Sequence, residues 1–169
     1  MKEPCLTMRT LRFLGMTLLT VMLAVNFTAC SDDEEPLDLN SLEGTWMLIH
    51  SKGWELCSND PEKDEWDEDY DANNLDYDSE RVVITKISDN KYSFSFGYYT
   101  GSNWYNEPST TGTINGRTVE LKDSPYYSNP VIESLTSDRM VVRVTYNEVS
   151  TGEEGHCHSG DITNTYIKK

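Results

Sequence analysis

The chain has 169 residues and carries 29 Asp and Glu against 14 Lys and Arg, a formal charge of −15 at pH 7. Such a length fits one domain with a removable segment. So acidic a chain repels phosphates, which argues against nucleic acid or an anionic lipid face as partner.

The first element is a leader. From Met1 to Arg12 the sequence holds Lys2, Arg9 and Arg12 against Glu3 alone, and from Phe13 to Val25 it is almost continuous Leu, Val, Met and Phe. The pattern reads as a signal peptide over residues 1–29, too short and too weakly flanked for a spanning helix. It ends Phe27-Thr28-Ala29-Cys30, which resembles the lipobox of bacterial lipoproteins. The resemblance implies that Cys30 becomes the lipidated first residue, carrying acyl chains such as palmitate. Each buried methylene contributes about 0.8 kcal/mol, so several chains hold far longer than one. Loss of residues 1–29 removes three bases and one acid and takes the charge from −15 to −17. Residues 30–40 form a tether whose Ser31-Asp32-Asp33-Glu34-Glu35 resembles the surface-export tag of Bacteroidota lipoproteins. A plain solvated charge run is the alternative. Either way the chain is expected in the envelope as an outer-membrane lipoprotein, facing the cell surface or the periplasm.

The remaining residues, 41–169, read as one domain. Before it, Leu37 to Leu42 are spaced for a short helix with Pro36 at its head. Beyond Gly44 no helical period lasts three turns, whereas period-two alternation recurs, so the domain is all β. Eight strands are expected: Gly44–Cys57, Glu80–Ile87, Lys91–Tyr99, Ser109–Ile114, Arg117–Lys122, Pro130–Leu135, Met140–Tyr146 and Cys157–Ile167. Alternation is cleanest in the third, where Tyr92, Phe94, Phe96 and Tyr98 share a face, and in the seventh, where Met140, Val142, Val144 and Tyr146 do.

Short turns at Asp89-Asn90, Asn115-Gly116 and Thr136-Ser137-Asp138 join strands two to three, four to five and six to seven. Asn-Gly is the strongest hairpin signal among them. The other connections are long: Ser58 to Ser79, Thr100 to Pro108, Asp123 to Asn129 and Asn147 to His156. In an up-and-down meander the short turns share one end and the long loops the other, which makes a floor and a mouth. Closure requires strands one and eight to pair. Aligning Cys57 with Cys157 sets Leu48 opposite Tyr166 and Leu56 opposite His158, and points both apolar sets the same way. A disulfide across that seam suits an exported protein, with two free thiols as the alternative.

Gly44-Thr45-Trp46, the lipobox, the acidic tether and eight short strands together resemble the lipocalin-like lipoproteins of Bacteroidota. The resemblance implies an eight-stranded antiparallel up-and-down barrel in which Trp46 plugs the floor and Gly44 lets the chain turn beneath it. Many lipocalins set an Arg of the last strand against this Trp. None is evident here, and Lys168 is the candidate substitute. The resemblance also implies non-catalytic binding of a small, largely apolar or amphipathic ligand at the mouth. By parity Leu48, Trp54 and Leu56 point inward, with Phe94, Phe96, Val142 and Val144 as further pocket wall. The competing reading is a barrel packed solid, acting as a surface module that binds protein or glycan. An interior cavity of roughly 300 Å³ or more favours the first, a filled interior the second.

Other chemistry is weakly signalled. Residues 58–80 hold eleven acids and one Lys, and Asp67, Asp69, Asp71 and Asp78 match the first, third, fifth and twelfth places of a calcium loop. Ala72 stands where that loop needs Gly, and the alternative is a solvated, self-repelling loop. His156-Cys157-His158 cannot close on one ion from a strand, because Cys157 projects opposite to the two His. No metal or cofactor is therefore expected. Gly-x-Ser-x-Gly, His-Glu-x-x-His and Gly-rich phosphate motifs are absent from the sequence, and no enzyme is expected. Tyr98, Tyr99, Trp104, Tyr105, Tyr126, Tyr127, Trp66, Tyr70 and Tyr77 border the long loops, as mouth contacts or as lids over the core.

Overall fold

Alternating apolar residues and short polar turns produce a single antiparallel sheet in the computed structural model, which describes residues 36–57, 60–122, 129–147 and 157–169. The leader, Cys30 and most of the tether lie outside these residues, as do Tyr126, Tyr127 and His156. The strands are β1 (Gly44–Cys57), β2 (Asp60–Asp69), β3 (Glu80–Ser88), β4 (Lys91–Tyr99), β5 (Trp104–Asn106), β6 (Thr110–Asn115), β7 (Thr118–Leu121), β8 (Val131–Leu135), β9 (Arg139–Tyr146) and β10 (Cys157–Lys168). Eight of them, all but β2 and β5, run up and down around the wall, and β10 returns to pair with β1. The sheet is thereby a closed barrel, with no exposed edge along that seam.

Two strands were not expected. β2 occupies much of the long acidic connection and pairs with the upper half of β1, from His50↔Asp69 to Cys57↔Asp60. β3 takes the lower half, from Gly44↔Ile84 to Met47↔Arg81. β4 is shared in the same way, by β6 near the floor and by the short β5 near the mouth. Splitting one long strand between two partners lets the wall flare towards the mouth without leaving backbone groups of β1 unpaired.

The β1–β10 register decides which side chains face inward. Leu48 lies opposite Tyr166, and Cys57 opposite Cys157. Between them the ladder shifts by one: His50 faces Thr165 and Leu56 faces Ser159. Ile49 is the extra residue on β1, and His158 is the compensating one on β10. Ile49 turns its carbonyl to accept the Tyr70 N–H at 2.9 Å, so the bulge is held by the segment that follows β2. A bulge exchanges the two faces of a strand beyond it. Trp46 and Leu48 face inward below Ile49, whereas Ser51, Gly53 and Glu55 do so above it. The pairing of Leu56 with His158 is thus corrected to Leu56 with Ser159. Cys57 and Cys157 form a disulfide, S–S 2.02 Å, that staples the seam at the mouth.

The floor is a plug held by side chains of the wall. Within the stretch read as a short helix a single 3-10 turn forms, Leu39–Ser41, and Asp38 caps it by accepting the Asn40 N–H at 3.1 Å. Carbonyls at the end of such a turn have no partner of their own. Here Lys168 Nζ donates to Ser41 O and Trp46 Nε1 to Leu42 O, both at 2.8 Å, while Leu39 O, which already accepts the Leu42 N–H, takes a second bond from Tyr92 at 3.2 Å. Leu42, Trp46 and Tyr92 are fully buried, and around them Leu48, Val82, Ile84, Ile114, Val119, Ile132 and Met140 make the core.

Candidate functional site

Above this floor the barrel is not filled. A cavity of about 200 Å³ lies between the core and the mouth. Its lower wall is apolar: Val82 and Ile84 from β3, Phe94 and Phe96 from β4, Ile132 from β8, Met140, Val142 and Val144 from β9, and Ile162 from β10. These positions alternate along each strand, which is why period-two sequences on successive strands converge on one space. A dry apolar cavity of about 150 Å³ suffices for benzene, while drug-sized ligands need roughly 300–1,000 Å³. The space therefore suits a single ring or a short aliphatic chain.

Polar groups enter at the mouth. On β9, β10 and β1, Tyr146, Gly160 and Glu55 stand side by side in register. A Cβ at Gly160 would come within 2.7 Å of the Tyr146 ring. Glycine there lets that ring lie flat across β10, and its hydroxyl donates to Glu55 Oε1. Asn164 and Tyr166 are also in the wall, where Asn164 Nδ2 donates to the Tyr166 oxygen at 3.3 Å. Glu80 reaches the cavity from the start of β3, opposite Tyr98 at the rim. Although Glu80 keeps a solvent-exposed flank, burial of its carboxyl raises its pKa above the usual range, and the charges of Glu107 and Asp78 add to that.

Of the residues expected as pocket wall, Phe94, Phe96, Val142 and Val144 line the cavity. Leu48 is buried in the core but is not part of that lining. Trp54 and Leu56 do not line it either. The bulge at Ile49 turns both to the outer face, and this corrects their assignment. Trp54 instead receives Lys63 of β2, whose Nζ lies 3.9 Å from the ring centre. Glu55 takes the inward place that parity without a bulge assigns to Trp54 and Leu56. Tyr146 was legible from its alternation with Val142 and Val144, whereas Glu80 had no signal beyond its parity with Val82 and Ile84.

Gly44 and Trp46 belong to the floor, away from the cavity wall. Lys168 lies over the Trp46 ring with Nζ 5.2 Å from its centre, the place expected of a cation from the last strand. Much of the acidic connection is strand rather than loop. Asp67 and Asp69 sit on β2 with His50 between them, at 3.6 and 2.8 Å, and Asp71 closes a turn by accepting the Asn73 N–H at 2.8 Å. Trp66, opposite Gly53 on the inner face, donates to Ser51 Oγ at 2.8 Å. His158 is the bulged residue of β10, beside Ser159 Oγ at 3.2 Å. No group of three or more His, Cys, Asp or Glu side chains suited to a metal ion occurs among the described residues. The rim aromatics pair across the β4–β5 hairpin, Tyr98 with Tyr105 at 5.0 Å and Tyr99 with Trp104 at 5.6 Å.

Comparison with known proteins agrees with this architecture. The family model described as "Lipocalin-like domain" matches residues 42–142, from the plug to the middle of β9. A solved structure described as "The Siderocalin Ex-FABP functions through dual ligand specificities" is similar at 10% identity. That likeness covers 76% of this chain and 71% of the other, with a TM-score of 0.45. No curated protein matches.

Proposed function

Since the chain belongs to the lipocalin-like domain family, we propose that it is a non-catalytic binding protein which takes a small, largely apolar or amphipathic ligand into the barrel. The fold is one that binds small hydrophobic ligands. The observation that carries the reading is the cavity of about 200 Å³, walled by apolar side chains below and opening towards polar groups at the mouth. Burying a ligand's hydrocarbon there yields about 25 cal/mol for each Å² removed from water. That volume falls short of the roughly 300 Å³ that a drug-sized ligand needs, but the interior is not filled either, so it supports only a ligand of smaller size.

Membrane attachment belongs to the same proposal and rests on the sequence. The apolar leader, Cys30 after small residues and the acidic run behind it support a lipoprotein of the outer membrane, presented at the cell surface. In that setting the barrel would meet its ligand outside the cell or pass it across the envelope. Metabolic labelling with palmitate, lost in Cys30→Ala, tests the anchor.

Native mass spectrometry of the full chain purified from its own host tests the binding. A reproducible adduct smaller than a few hundred daltons is expected, as the cavity volume limits its size. An unliganded mass, together with no uptake of short-chain apolar probes, would overturn the reading.

A further inference from the structure

The polar groups around the cavity are unbalanced in a way that selects among ligands. Glu55 and Glu80 bring carboxylates to its mouth, and its lining holds no Lys, Arg or His among the described residues. The Tyr146 hydroxyl already donates to Glu55, and Asn164 Nδ2 donates to the Tyr166 oxygen. Asn164 Oδ1, in the same wall, is buried without a hydrogen-bond partner among the described residues. Among the described residues the wall offers acceptor oxygen, two carboxylates included, and no cationic donor. A buried acceptor left unpaired is costly, and a carboxylate in a partly desolvated site gains most from a cationic donor.

We propose that the ligand is a cationic amphiphile of short reach, a protonated amine on a ring or short aliphatic chain, and that carboxylate-headed lipids are excluded. The inference rests on the binding reading above and names the head group that site accepts. The ammonium would sit at the mouth against Glu55 and Glu80, with the hydrocarbon on Phe94, Phe96, Val142 and Val144. A fatty acid entering in the same sense would set its carboxylate against Glu55 and Glu80, with no Lys, Arg or His among the described residues of the wall to receive it. Like charges brought together where solvent is partly excluded are repelled more strongly than in water.

Calorimetric titration of the full chain with hexylamine, hexan-1-ol and hexanoate at pH 7 tests this, since the three share one tail. Hexylamine is expected to bind at least tenfold more tightly than hexan-1-ol, and hexanoate more weakly than both. Glu55→Gln and Glu80→Gln should each cut the preference for the amine over the alcohol severalfold. Asp67→Asn, which removes the same charge from the outer face of β2, should leave the preference intact. An equal loss in Asp67→Asn would assign the preference to the overall charge and overturn the proposal. Binding of the alcohol with no preference for the amine would overturn the head-group inference alone. If none of the three binds, the binding reading fails with it.

Discussion

Lys168 fills the space that a side chain at Gly44 would need. A Cβ built on Gly44 would meet Lys168 Cε at 2.5 Å, and the same lysine reaches over Trp46 to donate to Ser41 O at 2.8 Å. Glycine, tryptophan and lysine are thus one joint between the first strand, the last strand and the plug.

Gly44→Ala should therefore lose stability twice over. The backbone at Gly44 has φ +146°, which L residues rarely adopt, and such strain costs about 1–3 kcal/mol. Displacing Lys168 adds to it, for an expected total of about 2–4 kcal/mol. Gly116→Ala is the control, because Gly116 also has positive φ but a Cβ there meets nothing within 4 Å. Urea midpoints at unchanged slope measure both. Equal losses in the two variants would mean that Lys168 moves aside freely.

How much of this was legible can be judged along β1. The pattern from Gly44 to Leu48 announces a strand with Trp46 and Leu48 on one face, and the two cysteines give the right partner for each end. Nothing in Leu48-Ile49-His50 announces a bulge, since Ile49 is a good strand residue and its displacement is fixed by Tyr70, remote in sequence. Trp54 and Leu56 were assigned to the wrong face for that reason. β2 was invisible for another. Its sequence alternates no apolar residues, and it becomes a strand because β1 offers a free backbone edge, with His50 and Lys63 to relieve its charge. Its inner face is identified only by Trp66 reaching Ser51.

The disulfide should matter chiefly through the unfolded chain. Cys57 and Cys157 are 100 residues apart, and a loop of that length gives about 4–5 kcal/mol in the chain-entropy account. Reduction, or the double change Cys57→Ser with Cys157→Ser, is expected to lose about 2–5 kcal/mol. The barrel should still close, because the β1–β10 ladder runs on from Leu56 to Trp46. Thermal melts with and without reductant, followed by far-ultraviolet dichroism, check both statements. Loss of the folded spectrum on reduction at room temperature would show that the ladder alone cannot hold the seam.

Two carboxylates should tilt the pH dependence of stability in opposite senses. Asp161 accepts from Arg143 Nε at 2.8 Å and Nη2 at 2.5 Å, and these bonds hold its pKa below the usual range. Its contribution is present above the ordinary aspartate pKa and is lost as pH falls through the lowered one. Glu80 is the reverse. Its raised pKa means that the folded state prefers the proton, so its contribution is greatest below the ordinary glutamate pKa and fades as pH climbs through the raised value. Glu80→Gln should thus raise stability at pH 7 and flatten the profile above the ordinary glutamate range. Solvent at its exposed flank screens the gain to below about 1 kcal/mol. A steeper profile in that variant would contradict the assignment.

Filling the cavity separates binding from folding. Val144 lies across from Ile162 on the neighbouring strand, and both line the space, so Val144→Phe places a ring where a ligand's hydrocarbon would lie. An apolar void costs its lining lost contacts, and a side chain that enters it restores them. Overpacking costs about 1–3 kcal/mol only where no space exists. The urea midpoint of Val144→Phe should accordingly stay the same or rise, while affinity for hexan-1-ol falls at least tenfold. Val142→Phe, further down the same strand, should do likewise and guards against a local misfit at one site. If both variants fold as stably as the parent and still bind the alcohol with unchanged affinity, the ligand sits elsewhere and the cavity is only a packing defect of the barrel.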